Sequence, residues 1–536
     1  MLIKKIKVLG LLLLVLSVLA ACSEEDSANE KKSDETDNEL VYAVAQDIND
    51  MNPHLYTGSM PAQGMVYESL VENTKDGIQP LLAESWEISE DGKVYTFFLR
   101  EDVQFHDGEP FNAEAVKKNL DAVQSNAEKH AWIKLSTKME NVNVVDEYTV
   151  ELELSEPYYP TLVELSMTRP YVFISPKDFE NGETKDGVSG FNGTGSYVLT
   201  EHKTAEFATF EANEDYWNGA PEIKRITAKV LPAGETTLLA LQKGEINFAF
   251  TDDRGADSIA VEGMNQLEDS GDYQLIRSEP MNTKMLVANS SKADNPISET
   301  AVREAIWYSI DKETISKDIL NGTESMAETL FSPNVNYADV DLKKRGYDVE
   351  KAIEILEKNG WKSENSSEAR TKDGKKLEMK LYYDSSSSSQ KTQAEFIQAS
   401  LKEIGLQLEI TGEESTSIAN RRATGDYDLL FNQTWGLAYD PQSTIAAFTS
   451  EASYLHTTKG IKKEDELYDN IEQVMVSTDE QARKALYAEI LTTVHEEAVF
   501  IPISNGGMTV IAPQNLTGVS FKQTQFELPF ELMNFK

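Results

Sequence analysis

Tyr427-Asp428-Leu429-Leu430-Phe431-Asn432-Gln433-Thr434-Trp435-Gly436-Leu437-Ala438-Tyr439-Asp440-Pro441 opens as a strand and closes as a turn. The apolar run around Leu429 and Leu430 has the length and residue types of a strand. Gly436 and the Asp440-Pro441 pair then break regular structure. The stretch predicts a strand that ends at a mouth and delivers Trp435 and Tyr439 there. An indole and a phenol are large flat apolar groups with one polar handle each, as gripping a small organic ligand requires. Core packing uses the same residues, so the rest of the chain has to decide between the two.

Around this stretch, strands and helices alternate. Periodicity predicts strands at 40–45, 94–100, 148–154, 246–250, 284–289, 377–382 and 499–503. It predicts helices at 65–71, 113–123, 302–309, 312–320, 349–358, 392–404 and 480–497. The fold class is α/β in two unequal halves, a two-lobed protein with its ligand cleft between the lobes.

Composition narrows the function. At 536 residues the chain is long enough for more than one domain. It has 91 acidic and 50 basic residues, a net charge of −41. Such a surface repels nucleic acid and anionic membrane, and after the first seven residues no run of Lys/Arg exceeds three. Gly-x-Ser-x-Gly, phosphate-loop and His-Glu-x-x-His motifs are absent, so the reading is not an enzyme. Asp252-Asp253 is a pair of solvated loop carboxylates. The six histidines, His54, His106, His130, His202, His456 and His495, lack the close spacing of a protein metal cage.

The single cysteine rules out an intrachain disulfide. Lys4, Lys5 and Lys7 precede an apolar run from Val8 to Leu19, and Leu19-Ala20-Ala21-Cys22 follows. This is a signal peptide whose apolar part is too short for a permanent span. Leu-Ala-Ala-Cys resembles the lipobox of bacterial lipoproteins, which implies cleavage before Cys22 and lipidation of its thiol. Residues 23–39 are polar and charged and form a flexible tether.

Several further segments together resemble one family: Met51-Asn52-Pro53-His54-Leu55-Tyr56, Leu82-Ala83-Glu84-Ser85-Trp86, Phe105-His106-Asp107-Gly108, Asn192-Gly193-Thr194-Gly195 and Tyr216-Trp217. The family is the extracellular solute-binding proteins of peptide and nickel ABC importers, and the resemblance covers the mature chain. It implies a periplasmic-binding-protein-like fold of class II, peptide- and nickel-binding type. His130-Ala131-Trp132, Thr168-Arg169-Pro170-Tyr171, Thr434-Trp435-Gly436 and Tyr439-Asp440-Pro441 resemble the nickel and metallophore branch, closest to staphylopine-type metallophore-binding proteins.

The resemblance implies a ligand that is an already chelated divalent metal, such as nickel, cobalt or zinc on an opine-type metallophore, with no cofactor. Arg169 is expected to grip a ligand carboxylate through two parallel hydrogen bonds. Trp132, Trp435 and Tyr439 are expected to wall the cavity, Tyr56 to close one side, and Asn432 to read an amine or carboxylate. No direct metal ligand is expected. Where nickel–histidine binders of the family place a histidine, the same interval here reaches Ser453, and His456 is the one histidine a loop shift could recruit. The basic residue three before Trp132 is Lys129, which stays cationic but cannot clamp two oxygens as arginine does.

The expected organisation is a signal peptide over 1–22, the tether, lobe I over 40–283 and 505–536 with an inserted subdomain at about 80–215, and lobe II over 284–504. Hinge crossings are expected near Thr283–Lys284 and Ile503–Asn505. The implied protein is a monomer, lipid-anchored on the outer face of a bacterial membrane. Its implied partners are the permease and ATPase of an ABC importer. The competing readings are an oligopeptide receptor of the same fold and, more distantly, a surface hydrolase.

Overall fold

The computed structural model describes residues 38–55, 58–130, 133–232, 234–251, 259–363, 368–434, 441–522 and 527–536. The expectations for the signal peptide, Cys22, most of the tether, Tyr56, Trp132, Asp252-Asp253, Trp435 and Tyr439 fall outside those residues. Glu39, the last residue expected in the tether, is already in a strand.

Four sheets carry the architecture. In the first, Glu39–Val44 pairs parallel with Arg225–Val230, and Phe207–Ala212 and Tyr197–Lys203 follow antiparallel. The second is an antiparallel meander in the order Ala83–Ile88, Val94–Leu99, Thr149–Leu154, Met139–Asp146. Val94–Leu99 alternates half-buried and buried residues, the period-two pattern that places Tyr95, Phe97 and Leu99 inside. Helix Ala113–Ser125 belongs to this subdomain, and Asn112 caps it by accepting the Ala115 amide at 3.0 Å. The third is a small sheet of Ala249–Phe250, Thr509–Pro513 and Tyr273–Arg277.

The fourth sheet has six strands, in the order Ser325–Met326, Phe500–Gly506, Asn282–Ala288, Leu429–Gln433, Glu378–Asp384, Gln407–Glu413. Its last two pairs are parallel, and helix Ser388–Glu403 makes the crossover between them. Asn282–Ala288 is buried on both faces. Met285 and Val287 enter one core while Leu286 and Ala288 enter the other.

The chain passes between the third and fourth sheets twice, at 278–281 and at 507–508. There Ser278 N donates to Met508 O at 2.9 Å, and Met508 N donates to Ser278 Oγ at 2.8 Å. The expected crossings at Thr283–Lys284 and Ile503–Asn505 lie inside the ladder instead, where Thr283 pairs with Asn505. A rung of a six-stranded sheet cannot also be the pivot, so the crossing sits just outside the ladder.

Other local differences have simple causes. The helix expected at 65–71 is Met60–Val66, started by Pro61 in its first turn and ended by extended Tyr67, φ −120° and ψ 151°. The helix expected at 312–320 is one α-turn, Lys312–Thr314, followed by a π-helical turn, Ile315–Ile319. The strand expected at 246–250 is reduced to Ala249–Phe250, with an isolated bridge between Tyr42 and Phe248.

The largest apolar core runs from the meander (Phe97, Leu152, Leu154) into the helices and sheet of the other half (Ile471, Tyr487, Phe500). Each fully buried side chain of this size contributes about 1.5–3 kcal/mol. Halves joined by such a core hold each other's register.

Candidate functional site

Arg169 follows helix Thr161–Leu165 and is 8% exposed. Its flanks explain its place. Thr168 donates its hydroxyl to the buried carboxylate of Glu527, which the C-terminal segment returns from 359 residues away. Gly64 lets that carboxylate approach, since a Cβ there would stand 3.1 Å from Glu527 Oε1. After Arg169 comes a cis peptide to Pro170. Tyr171 then enters the large joint core, whereas Val172 enters the core of the first sheet and bridges Ser69. Arg169 therefore stands at the seam between two cores. A buried guanidinium is stable only among anionic or carbonyl partners.

Upstream of the same segment, Glu164 accepts the Leu135 amide at 2.8 Å and the Tyr158 hydroxyl at 2.6 Å. Burial pushes its carboxyl up to about 7. These bonds tie the helix that feeds Arg169 to the turn that follows position 132.

Asn432 stands on the strand Leu429–Gln433 opposite Met285. The strand end is pinned from two sides. Thr434 N donates to Thr283 O at 3.0 Å, and Thr283 N donates to Thr434 Oγ1 at 2.9 Å. Tyr454 donates its hydroxyl to Gln433 O at 2.6 Å. Sequence reading missed a further cation here. Arg422, at the end of helix Ser415–Thr424, reaches Asn432 Oδ1 at 3.4 Å and Ala452 O at 3.3 Å. Its neighbour Arg421 is engaged with Glu413 at 2.6 and 2.7 Å and with Asp426 at 2.6 Å. Among the described residues Arg422 has no carboxylate within salt-bridge distance. The consecutive Arg421-Arg422 pair, eight residues before Leu430, was the available signal.

His456 lies at the other end of that strand. Its Nε2 is 3.3 Å from Ala423 O, its Nδ1 is 3.4 Å from Ser291 Oγ, and its ring covers Gly425. Lys129 lies in a short 3-10 turn ending at buried His130. Among the described residues no group of three His, Cys, Asp or Glu is placed to hold a metal ion. Also among them, no helix is long and apolar enough to cross a membrane.

The family model for bacterial extracellular solute-binding proteins, family 5, matches residues 77–455. The chain belongs to that family. It is an extracellular solute-binding protein that delivers its ligand to an ABC importer, and it is not an enzyme. The fold is the two-lobed α/β fold of that family. Over 497 residues the chain is 37% identical to the nickel-binding periplasmic protein of Escherichia coli, covering 92% of this chain and 94% of that one. It is 26% identical to the dipeptide-binding protein of the same organism, covering 88% and 90%. The crystal structure of NikA from Brucella suis in complex with Fe(III)-EDTA superposes with a TM-score of 0.89 at 39% identity, covering 93% and 100%.

Proposed function

We propose that this solute-binding protein captures a divalent metal already wrapped in an amino-acid-derived chelator, nickel, cobalt or zinc on an opine-type metallophore. Arg169 clamps a chelator carboxylate, Arg422 and Asn432 read a second polar group, and Trp132, Trp435, Tyr439 and Tyr56 supply the walls. The single observation that carries the reading is Arg169, an almost fully buried guanidinium held on both flanks at the seam of two cores. The similarity to a nickel-binding relative and to a structure holding a metal chelate supports the same reading. The metal is cargo. His456 has no part in this reading, because its ring is committed to the turn at Gly425.

The organisation that goes with it is a mature chain lipidated on Cys22 and held on the outer face of the membrane as a monomer. With the crossings outside the ladder, residues 40–281 and 507–536 form one lobe and 282–506 the other, in place of the expected cuts at 283/284 and 504/505. The lobes share the large joint core, so opening about the paired crossings at 278–281 and 507–508 has to part it and closing restores it.

Calorimetry with nickel alone, nickel with L-histidine, and nickel with an opine chelator tests the proposal. Tight binding is expected only with a chelator. Mass spectrometry of the co-purified ligand separates the dipeptide-receptor reading, which the second relative raises, since peptides in place of a metal chelate would end the metallophore assignment.

A further inference from the structure

We propose that His54 and His130 are positioning residues for the ligand site: their buried imidazoles stitch together the three segments that carry Tyr56, Trp132 and Arg169. The inference rests on the proposed chelate site.

Both side chains are 0% exposed. His130 Nε2 is 3.0 Å from the His54 carbonyl. A carbonyl only accepts, so the His130 proton sits on Nε2. His54 Nε2 is 3.4 Å from the Val172 carbonyl, which places its proton on Nε2 as well. Its Nδ1 then accepts from the Thr184 hydroxyl at 3.1 Å. Asn52 closes the arrangement, accepting the His54 amide at 3.0 Å and donating to Thr184 O at 2.8 Å. The His130 carbonyl accepts the Ile133 amide at 2.8 Å, so the stitch continues into the turn beyond position 132.

These bonds join stretches 76 and 118 residues apart in the chain. Their endpoints lie two residues before Tyr56, two before Trp132 and three after Arg169. Burial holds both rings well below the ordinary imidazole value, at about 4, so both are neutral donors at physiological pH. A binding site needs its reading groups held to within roughly 0.5 Å by a supporting layer. The two histidines are, in the fold, a supporting layer for the backbone that flanks Arg169.

The test has three arms, using full-length protein with Fe(III)-EDTA and nickel–L-histidine as probes. By calorimetry, His130→Phe should bind the accepted probe about tenfold more weakly, while His130→Gln, which keeps an N–H donor, should stay within about threefold of wild type. By hydrogen exchange without ligand, His130→Phe should speed exchange in peptides covering 52–55 and 169–173, and His130→Gln should not. In long-range proton–nitrogen spectra of the wild type, both rings should show Nε2–H tautomers, and paramagnetic nickel chelate should give them no contact shift. Wild-type affinity in His130→Phe, unchanged exchange, or a nickel contact shift on either ring overturns the inference. If the wild type takes up neither probe, the chelate reading falls alone, and the exchange and tautomer arms still decide the stitch. If His130→Phe does not fold, the wild-type spectra and His130→Gln decide it.

Discussion

The guanidinium carbon of Arg483 lies 3.3 Å from the centroid of the Tyr159 ring. Tyr159 follows the meander, whereas Arg483 belongs to helix Glu480–Glu496 in the other half. Tyr159 N also donates to Met475 O at 3.0 Å, and Arg483 donates to Val474 O at 2.5 Å. The pair bridges the same halves that the large core joins. A desolvated cation–π contact is worth about 2 kcal/mol. Arg483→Met should lose it and leave a buried carbonyl short of a donor, lowering unfolding free energy by about 2–4 kcal/mol in urea. A double-mutant cycle with Tyr159→Ala should show coupling of about 1–2 kcal/mol, and strictly additive losses would remove the bridge.

Arg169→Ala should weaken chelate binding about ten- to a hundredfold, since a charge-assisted bidentate contact is worth about 1.5–3 kcal/mol. Arg169→Lys should recover part of it, because the charge stays while the planar fork is lost. Calorimetry reads both. Wild-type affinity in the alanine variant would take Arg169 out of the site.

Arg422→Ala should weaken the same titration by a smaller factor, about threefold to thirtyfold, with little loss of stability, because its two contacts here are long, at 3.4 and 3.3 Å. An equal loss of stability and affinity would make Arg422 a purely structural residue of that helix.

Stability should fall on acidification from about pH 6.5 towards pH 4. Burial depresses His54, His130 and His495 to about 4. In that window the unfolded chain binds protons that the folded chain refuses, so protonation favours unfolding. Glu164 acts the other way. Raised to about 7, it contributes stability below its unfolded value, and that contribution is lost as pH rises through 7. Three groups outweigh one. Urea midpoints at about pH 7 and about pH 5 should differ, and Glu164→Gln should steepen the difference. A midpoint independent of pH across this range would contradict the buried neutral histidines.

Gly193→Ala should destabilise far more than Gly108→Ala. A Cβ on Gly193 would sit 1.9 Å from Val66 O, with nothing soft to move. At Gly108 the φ of +81° disfavours alanine, but no atom lies within 4 Å. The expected costs are upward of about 3 kcal/mol and about 1 kcal/mol. Thermal denaturation checks them, and equal costs would mean the Val66 turn yields.

Much of the fold was legible because it is written locally. Helix Val349–Lys358 and strand Val94–Leu99 follow from periodicity, and Asp348 and Asn112 mark helix starts by capping. Reading failed where a neighbour in sequence misled, as at Met60–Val66, where proline in the first turn outweighed the apolar run after it. At the site, Arg169 stood out by its motif. Arg422 did not, because two adjacent arginines on a polar helix look alike until one is engaged by Glu413.

The chain's order of elements, its acidic surface and its supply of arginines and aromatics were determined by the sequence itself, through patterns that span a few residues. Only the tertiary structure decided which of them meet: Thr168 with Glu527, His130 with the His54 carbonyl, Tyr159 with Arg483. Such contacts join points 359, 76 and hundreds of residues apart, and their strength comes from shared burial. Burial belongs to the packed chain and to no single stretch of it, and for that reason it makes His54 and His130 neutral donors to backbone carbonyls far away in the sequence.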